Sequence, residues 1–398
     1  MKNFVFLSPN FPEDYWQFCM ELRNNGLRVL GIGDCPYDQL TPQLKNALHE
    51  YYKVSSLENY DEVYRAMGYF IHKYGRIDWL ESNNEYWLMR DAHLRTDFHI
   101  TSGFQAAEMA PMKYKSAMKA FYAKAGVPTA QYCLPKSYEE ALDFIKKVGY
   151  PLVAKPDNGV GANDTYLLYA QTDLDRLFAE QDITQYIMEP FVKGFVQTYD
   201  AIINAEGEIL FDSSLVTPVS CMETVNDHTE SLLYATKDID PKIVDAGQRV
   251  IGAYGIRSRF IHLEFFVLTE DQPGLGRTGD VVGLEVNMRP AGDVSPHLYN
   301  FACETNVFKI YADMIAFDRN TLGNTAPKHF AASIGRRDNK RYKMNHDDIM
   351  TQYGHCMKSY GVSPEALAPL MGDRFYIAIF DSEEELQRFY WLLRETVD

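Results

Sequence analysis

The stretch Glu285-Val286-Asn287-Met288-Arg289, with His262-Leu263-Glu264-Phe265-Phe266 upstream of it, decides how this chain is read. Both segments are short and rich in β-branched or aromatic residues, and the turn-forming residues 270–276 join them, so they read as a strand pair. Side chains alternate along a strand, which puts Glu285, Asn287 and Arg289 on one face and Leu284, Val286 and Met288 on the other. Two carboxylates, Glu264 and Glu285, and the Asn287 amide oxygen suit Mg²⁺ (or Mn²⁺), which prefers oxygen ligands and leaves positions for phosphates. Arg289 extends the row to where a phosphate or a developing anion would be held. The plainer alternative is a solvated strand face carrying a surface salt bridge.

At 398 residues and 46% hydrophobic, the chain is long enough to bury large cores in two or three domains. A net charge of −16 argues against a nucleic-acid or anionic-membrane surface, so any phosphate site must come from local positive charge. The cysteines (Cys19, Cys35, Cys133, Cys221, Cys303 and Cys356) form no C-x-x-C pair, which speaks against a zinc site or disulfide framework. The apolar run 4–7 stops at Pro9, too short for a signal segment or a membrane span. The expectation is a cytoplasmic protein whose partners are small molecules, without nucleic acid or membrane; a homodimer is compatible with it.

Residues 1–111 alternate strand and helix signals: strands at 4–7, 29–32 and 77–80, helices at 14–24 and 61–74. This rhythm predicts a parallel α/β sheet. The turn Ser8-Pro9-Asn10-Phe11-Pro12 lacks the glycines of a dinucleotide fingerprint. Residues 112–124 read as one helix. Ser137-Tyr138-Glu139-Glu140 reads as a capping box that opens a helix ending at Gly149. Strands at 151–154, 165–169 and 186–189 and a helix capped near Thr172 complete a small α+β module. An antiparallel region over 198–288 is interrupted by a helix at 241–254. Beyond 325 comes a small tail: a strand at 329–334, a charged segment 336–343, and a strand–helix unit at 375–394.

Lys155 ends a strand beside Gly159-Val160-Gly161, an arrangement that can cradle phosphate. Glycines let backbone N–H groups approach the oxygens, and the ammonium supplies charge. Many strand-end lysines are merely solvated, and that reading stands beside it. Glu189-Pro190-Phe191-Val192 follows at a strand-to-linker junction suited to an adenine hinge, with the Pro190 carbonyl accepting and the Val192 N–H donating.

Taken in order, these motifs resemble the ATP-grasp superfamily of carboxylate–amine ligases, which includes the carbamoyl-phosphate synthase large chain, over residues 1 to about 325. The resemblance implies an N-terminal parallel α/β domain (1–111), a two-subdomain ATP-grasp domain (112–325, with a nucleotide-lid part near 127–190) and an α+β C-terminal extension (326–398). It implies ATP and Mg²⁺ as cofactors. Lys115 and Lys155 look like the two phosphate-binding lysines, and Gly159 and Gly161 like parts of the loop that closes over the phosphates. Glu189, Pro190 and Val192 look like the hinge, Glu264, Glu285 and Asn287 like the metal ligands, and Arg289 like the arginine that steadies an acyl phosphate. Lys155, Glu285 and Arg289 would then serve the reaction directly. The implied chemistry is phosphorylation of a small carboxylate by ATP, followed by attack of an amine. Bicarbonate or carbamate phosphorylation, and a nucleotide-binding partner protein without turnover, are the alternatives.

Two departures stand out. Val196 occupies the place where many relatives carry a ribose-binding glutamate, leaving Gln197 or Asp200 as substitutes. Pro290-Ala291-Gly292-Asp293 replaces consecutive glycines. His262 shares the Glu264 face, either orienting a metal ligand or satisfied structurally. Residues 218–228, Asp293 and His297 are candidates for substrate contact or plain surface loop. The run Arg336, Arg337, Lys340, Arg341, Lys343 reads more readily as a solvated face than as an anion site.

Overall fold

A computed structural model describes residues 1–159, 164–220, 224, 227–292, 294–323, 326–365 and 367–397. The N-terminal strands are β1 (Asn3–Leu7), β2 (Arg28–Gly33), β3 (Glu50–Lys53) and β4 (Trp79–Glu81), in a parallel sheet of order β3-β2-β1-β4. Both faces are covered, as uninterrupted apolar strands require. Phe4, Phe6 and Val29 pack toward the helix Trp16–Asn24, and Val5, Leu7 and Leu30 toward the helix Tyr60–Tyr74. The last strand starts later than the apolar run suggests and ends on Glu81. That buried carboxylate meets Arg95 at 3.0 Å and Arg259 at 2.6 Å, tying this sheet to the larger one.

A three-stranded antiparallel sheet follows, β6-β5-β7, from β5 (Leu152–Pro156), β6 (Tyr166–Leu168) and β7 (Tyr186–Pro190). The helix Tyr138–Val148 packs on it through Ala141, Phe144 and Ile145. Ser137 Oγ accepts the Glu140 N–H at 3.3 Å, but the Glu140 carboxylate accepts from the Lys136 N–H at 2.9 Å, one residue earlier than a capping box expects.

Residues 112–124 are not one helix. The chain turns extended at Tyr114 and restarts as the helix Lys115–Lys124. The break is stabilised from far along the chain: the Lys115 N–H donates to the Asp157 carbonyl at 2.8 Å, and the Ser116 N–H to the Asp157 carboxylate at 2.7 Å. Lys115 is thereby set at a helix start, against the end of β5.

The remaining strands are β8 (Gly194–Ile203), β9 (Ile209–Ser213), β10 (Leu215–Thr217), β11 (Ser231–Ala235), β12 (Arg259–Leu268), β13 (Val281–Asn287), β14 (Phe330–Arg336), β15 (Met357–Val362) and β16 (Arg374–Phe380). They form one nine-stranded sheet of order β13-β12-β8-β10-β11-β14-β16-β15, with β9 also on β8. The helix Pro241–Tyr254 lies where the sequence reading expects it. In the C-terminal segment β14 pairs with β11 from Ser231↔Gly335 to Ala235↔Ala331, so its strands extend this same sheet. Gly283 in β13 faces the ring of Tyr122, where an added Cβ would sit 2.5 Å away. A side chain there would push the helix carrying Lys115 off the strand carrying Glu285.

Candidate active site

The pairing of β12 with β13 sets Glu264 opposite Glu285 and His262 opposite Asn287, with a register shift after Glu264. Val286 and Met288 turn into the core, as alternation requires. Glu264 Oε1 accepts from Asn287 Nδ2 at 3.3 Å and lies 3.0 Å from His262 Nε2, while His262 Nδ1 lies 2.6 Å from Asp200. Burial opposes a charged imidazole, but the Asp200 charge and hydrogen bond, then Glu264, push the His262 pKa up to about 9. Burial likewise opposes ionisation of Glu264. The His262 hydrogen bond and charge, with Arg289 and Lys115, outweigh it and hold the carboxyl below its ordinary range.

Glu285 lies across from that group, its carboxylate 3.1 Å from Lys115 Nζ, which also donates to the Gly159 carbonyl at 2.9 Å. Burial, aided by the charges of Glu264 and Glu85, raises the Glu285 pKa against the pull of Lys115. The second lysine, Lys155, reaches Glu189 at 2.8 Å, and Lys119 binds the other oxygen of the same carboxylate. Two buried ammonium groups overcome the desolvation of Glu189 and hold its pKa at about 2. Arg289, just past the end of β13, donates to Glu85 at 2.5 Å, to Asn287 Oδ1 at 3.4 Å and to the Pro290 carbonyl at 2.9 Å.

Lys115, Glu285 and Gly159 thus form one polar group and Glu264, Asn287 and Arg289 another beside it, the two brought together by the pairing of Glu264 with Glu285, while Lys155 and Glu189 form a third. Because the lysines occupy the Glu189 carboxylate, any hinge role falls to the backbone of this segment. Pro190 pairs with Leu152, and the Val192 side chain packs with Ala130, Leu268 and Val282. Gly161, Asp293 and most of 221–226 lie outside the described residues. His297 pairs with Asp14 at 3.0 Å.

Several expectations need correction. Gln197 cannot stand in for a ribose ligand on this side, because it aligns with Phe265 and Val216, on the strand face opposite Thr198 and Asp200, and its amide donates to Ser214. Asp200 is engaged by His262 and Thr198. The run from Arg336 is not uniformly a solvated face, since Arg336 and Arg337 are 7% and 5% exposed. The Arg337 guanidinium reaches the carbonyls of Thr224, Thr229, Ala368 and Pro369.

Sequence reasoning missed Glu85, Lys113 and Lys119. Lys119 had a signal, since it lies one helical turn from Lys115 on the same face. Glu85, from a 3₁₀ turn after β4, had none. Among the described residues no three His, Cys, Asp or Glu side chains form a cage for a metal ion. Two carboxylates and an amide oxygen nevertheless fit Mg²⁺, which takes few protein ligands and keeps the rest as water and phosphate oxygen.

No family model matches the chain. The L-arginine-specific L-amino acid ligase of Bacillus subtilis is 24% identical over 232 residues, 56% of this chain and 54% of that protein. The match therefore spans about half of that relative's length. The crystal structure of an L-amino acid ligase from Bacillus licheniformis superposes with a TM-score of 0.72 at 17% identity, covering 99% of this chain and 97% of the other. N5-carboxyaminoimidazole ribonucleotide synthetase, in its ADP complex, gives 0.70 at 15% identity over 98% of this chain and 96% of that one. The chain has the ATP-grasp fold.

Proposed function

We propose that this protein is an ATP- and Mg²⁺-dependent ligase that activates a small carboxylate as an acyl phosphate and couples it to an amine, releasing ADP and phosphate. The observation carrying this reading is that two hydrogen-bonded sets, Lys115 with Glu285 and Glu264 with Asn287 and Arg289, meet at the edge of the large sheet, where Glu264 is paired across from Glu285. Names of the similar proteins, amino acid ligase and ribonucleotide synthetase, support the same class of reaction.

The first step joins two anions, so it calls for neutralisation of charge and alignment more than for a protein nucleophile. In this reading Lys115 and Lys155 exchange their carboxylate partners for phosphate oxygens of the nucleotide. Glu264, Glu285 and Asn287 would hold Mg²⁺, which when bound neutralises charge on the β- and γ-phosphates. An oxygen of the substrate carboxylate bonds to the γ-phosphorus, the bond to the β,γ-bridging oxygen breaks, and ADP leaves. Arg289 then sits beside the acyl phosphate and offsets its charge. The amine nitrogen bonds to the acyl carbon, the C–O bond to phosphate breaks, and the proton lost from the nitrogen passes to the departing phosphate or to water. His262, held between Asp200 and Glu264, fixes the orientation of Glu264. Small-molecule chemistry of this kind is consistent with a cytoplasmic setting.

Incubation with ATP, Mg²⁺ and pooled amino acids and carboxylates should release ADP and phosphate. Release of AMP and pyrophosphate would overturn the acyl-phosphate route.

A further inference from the structure

The basic run beginning at Arg336 has no part in the chemistry above, and strand register separates it from that chemistry. Glu264 faces Thr198, and along the same face the ladders pair Phe266 with Val196, Val196 with Thr217, Leu215 with Ala235 and Ala235 with Ala331. Arg336 has the opposite parity to Ala331, as do Tyr376 across the β14–β16 ladder and Tyr360 across the β15–β16 ladder. These side chains lie on the far face of the sheet.

A cavity of about 570 Å³ opens there, lined by Arg336, Arg374, Tyr342, His346, Tyr360 and Tyr376 among others. Its size falls within the range of small-molecule sites. The Arg336 guanidinium lies 3.6 Å from the centre of the Tyr342 ring and donates to the Met344 carbonyl at 2.8 Å. Its Nε is buried without a hydrogen-bond partner. Of the neighbouring cations, Arg374 is matched by Asp338 at 2.7 Å and Lys340 by Glu230 at 2.9 Å, and Arg337 is taken up by four backbone carbonyls, whereas among the described residues Arg336 has no carboxylate partner. Burial pulls its pKa below the ordinary value, with the Tyr342 and Tyr376 phenols pulling back. A buried cation without a carboxylate partner is costly unless an anion offsets its charge. In a chain of net charge −16 such a surplus of positive charge is local and specific.

The walls are aromatic. The Tyr360 and Tyr376 rings stack at 6.4 Å and 21°, the His346 ring lies 5.0 Å from Tyr360, and Tyr360 is 52% exposed. Tyrosine faces favour flat partners, and an exposed ring offers one without repacking.

We propose that this cavity is a second ligand site, for a small planar anion whose carboxylate or phosphate group meets Arg336 and whose ring lies against Tyr360. The site is independent of the ligase reading.

The test is calorimetric titration of the full chain with phenylphosphonate, benzoate and inorganic phosphate, with and without Mg²⁺ and a non-hydrolysable ATP analogue to occupy the nucleotide side. Phenylphosphonate or benzoate should bind once per chain with a Kd of about 1 mM or tighter, and inorganic phosphate ~10-fold more weakly. Which of the two ring compounds binds better tells a phosphate site from a carboxylate site. Arg336→Gln and Tyr360→Ala should each weaken binding by ~10-fold or more while the ATP analogue still binds as to the parent. Should Arg336→Gln fail to fold, Tyr360→Ala, at an exposed ring, decides the matter. No ring-compound binding below ~10 mM, affinity unchanged by the substitutions, or phosphate binding as tightly as phenylphosphonate would overturn the proposal.

Discussion

The two ends of the large sheet treat positive charge in opposite ways. On the side of β12 and β13, Lys115, Lys155 and Arg289 each have a carboxylate within 3.1 Å. Toward the other end, on β14, Arg336 is buried against Tyr342 with no such partner. Matched charges keep the first site folded and aimed before any ligand arrives, since an unpaired buried charge would cost several kcal/mol. A ligand must then displace an internal partner, and that exchange can be tied to catalysis. The second site carries an unmet demand, which an anion of the right shape fills directly.

The largest expected effect breaks the matched side at its centre. Glu285→Gln keeps volume but removes the partner of Lys115 and a charged oxygen of the candidate metal set. The unfolding midpoint should drop, because Lys115 loses its carboxylate, and at temperatures where the variant is still folded turnover should be lower by at least ~10²-fold. Steady-state ADP release measured with Mg²⁺ checks this, and normal turnover would remove the site from this strand. Lys155→Ala comes next: nucleotide affinity, measured by calorimetry with ADP, should fall by ~10-fold, since an ammonium contact to phosphate exists already in the bound ground state. Arg289→Lys keeps the charge but loses the fork between Glu85 and Asn287. It should lower kcat by ~10-fold while leaving the KM for ATP nearly unchanged. An equal loss in both would place Arg289 on the nucleotide instead of the intermediate.

How much of this was legible depends on the distance over which each cause acts. The shared face of Glu285 and Asn287 follows from alternation, and the helix Pro241–Tyr254 from a proline start and a glycine stop. Both are local rules, and both hold here. The break at Tyr114 was not legible, because the group that makes it favourable, Asp157, arrives from a different strand end. Glu85 reaches Arg289 from the N-terminal sheet, and no local pattern foretells that meeting. The strand β15 alternates between half-buried and exposed positions and so carries too little apolar signal to announce itself. Arg336 was misjudged because a charge run looks the same in sequence whether water or aromatic rings surround it.

The smallest effect tests whether matching a charge stabilises the fold. Glu189 is clasped by Lys155 and Lys119, and its pKa is about 2 in the folded chain against an ordinary value near 4.5. A carboxyl depressed in the folded state adds stability that is fully present above the unfolded pKa and is lost as pH falls through the folded one. Stability from this group should therefore hold above about pH 4.5 and decline toward pH 2, amounting to roughly 3 kcal/mol. Glu189→Gln removes this contribution and leaves the other acid-sensitive groups in place. Its midpoint for thermal unfolding should lie below that of the parent at pH 6, and the gap should narrow steadily between pH 5 and pH 3. Parallel curves would mean that the lysines repay only their own desolvation, so that matched charge here orients the site without stabilising it.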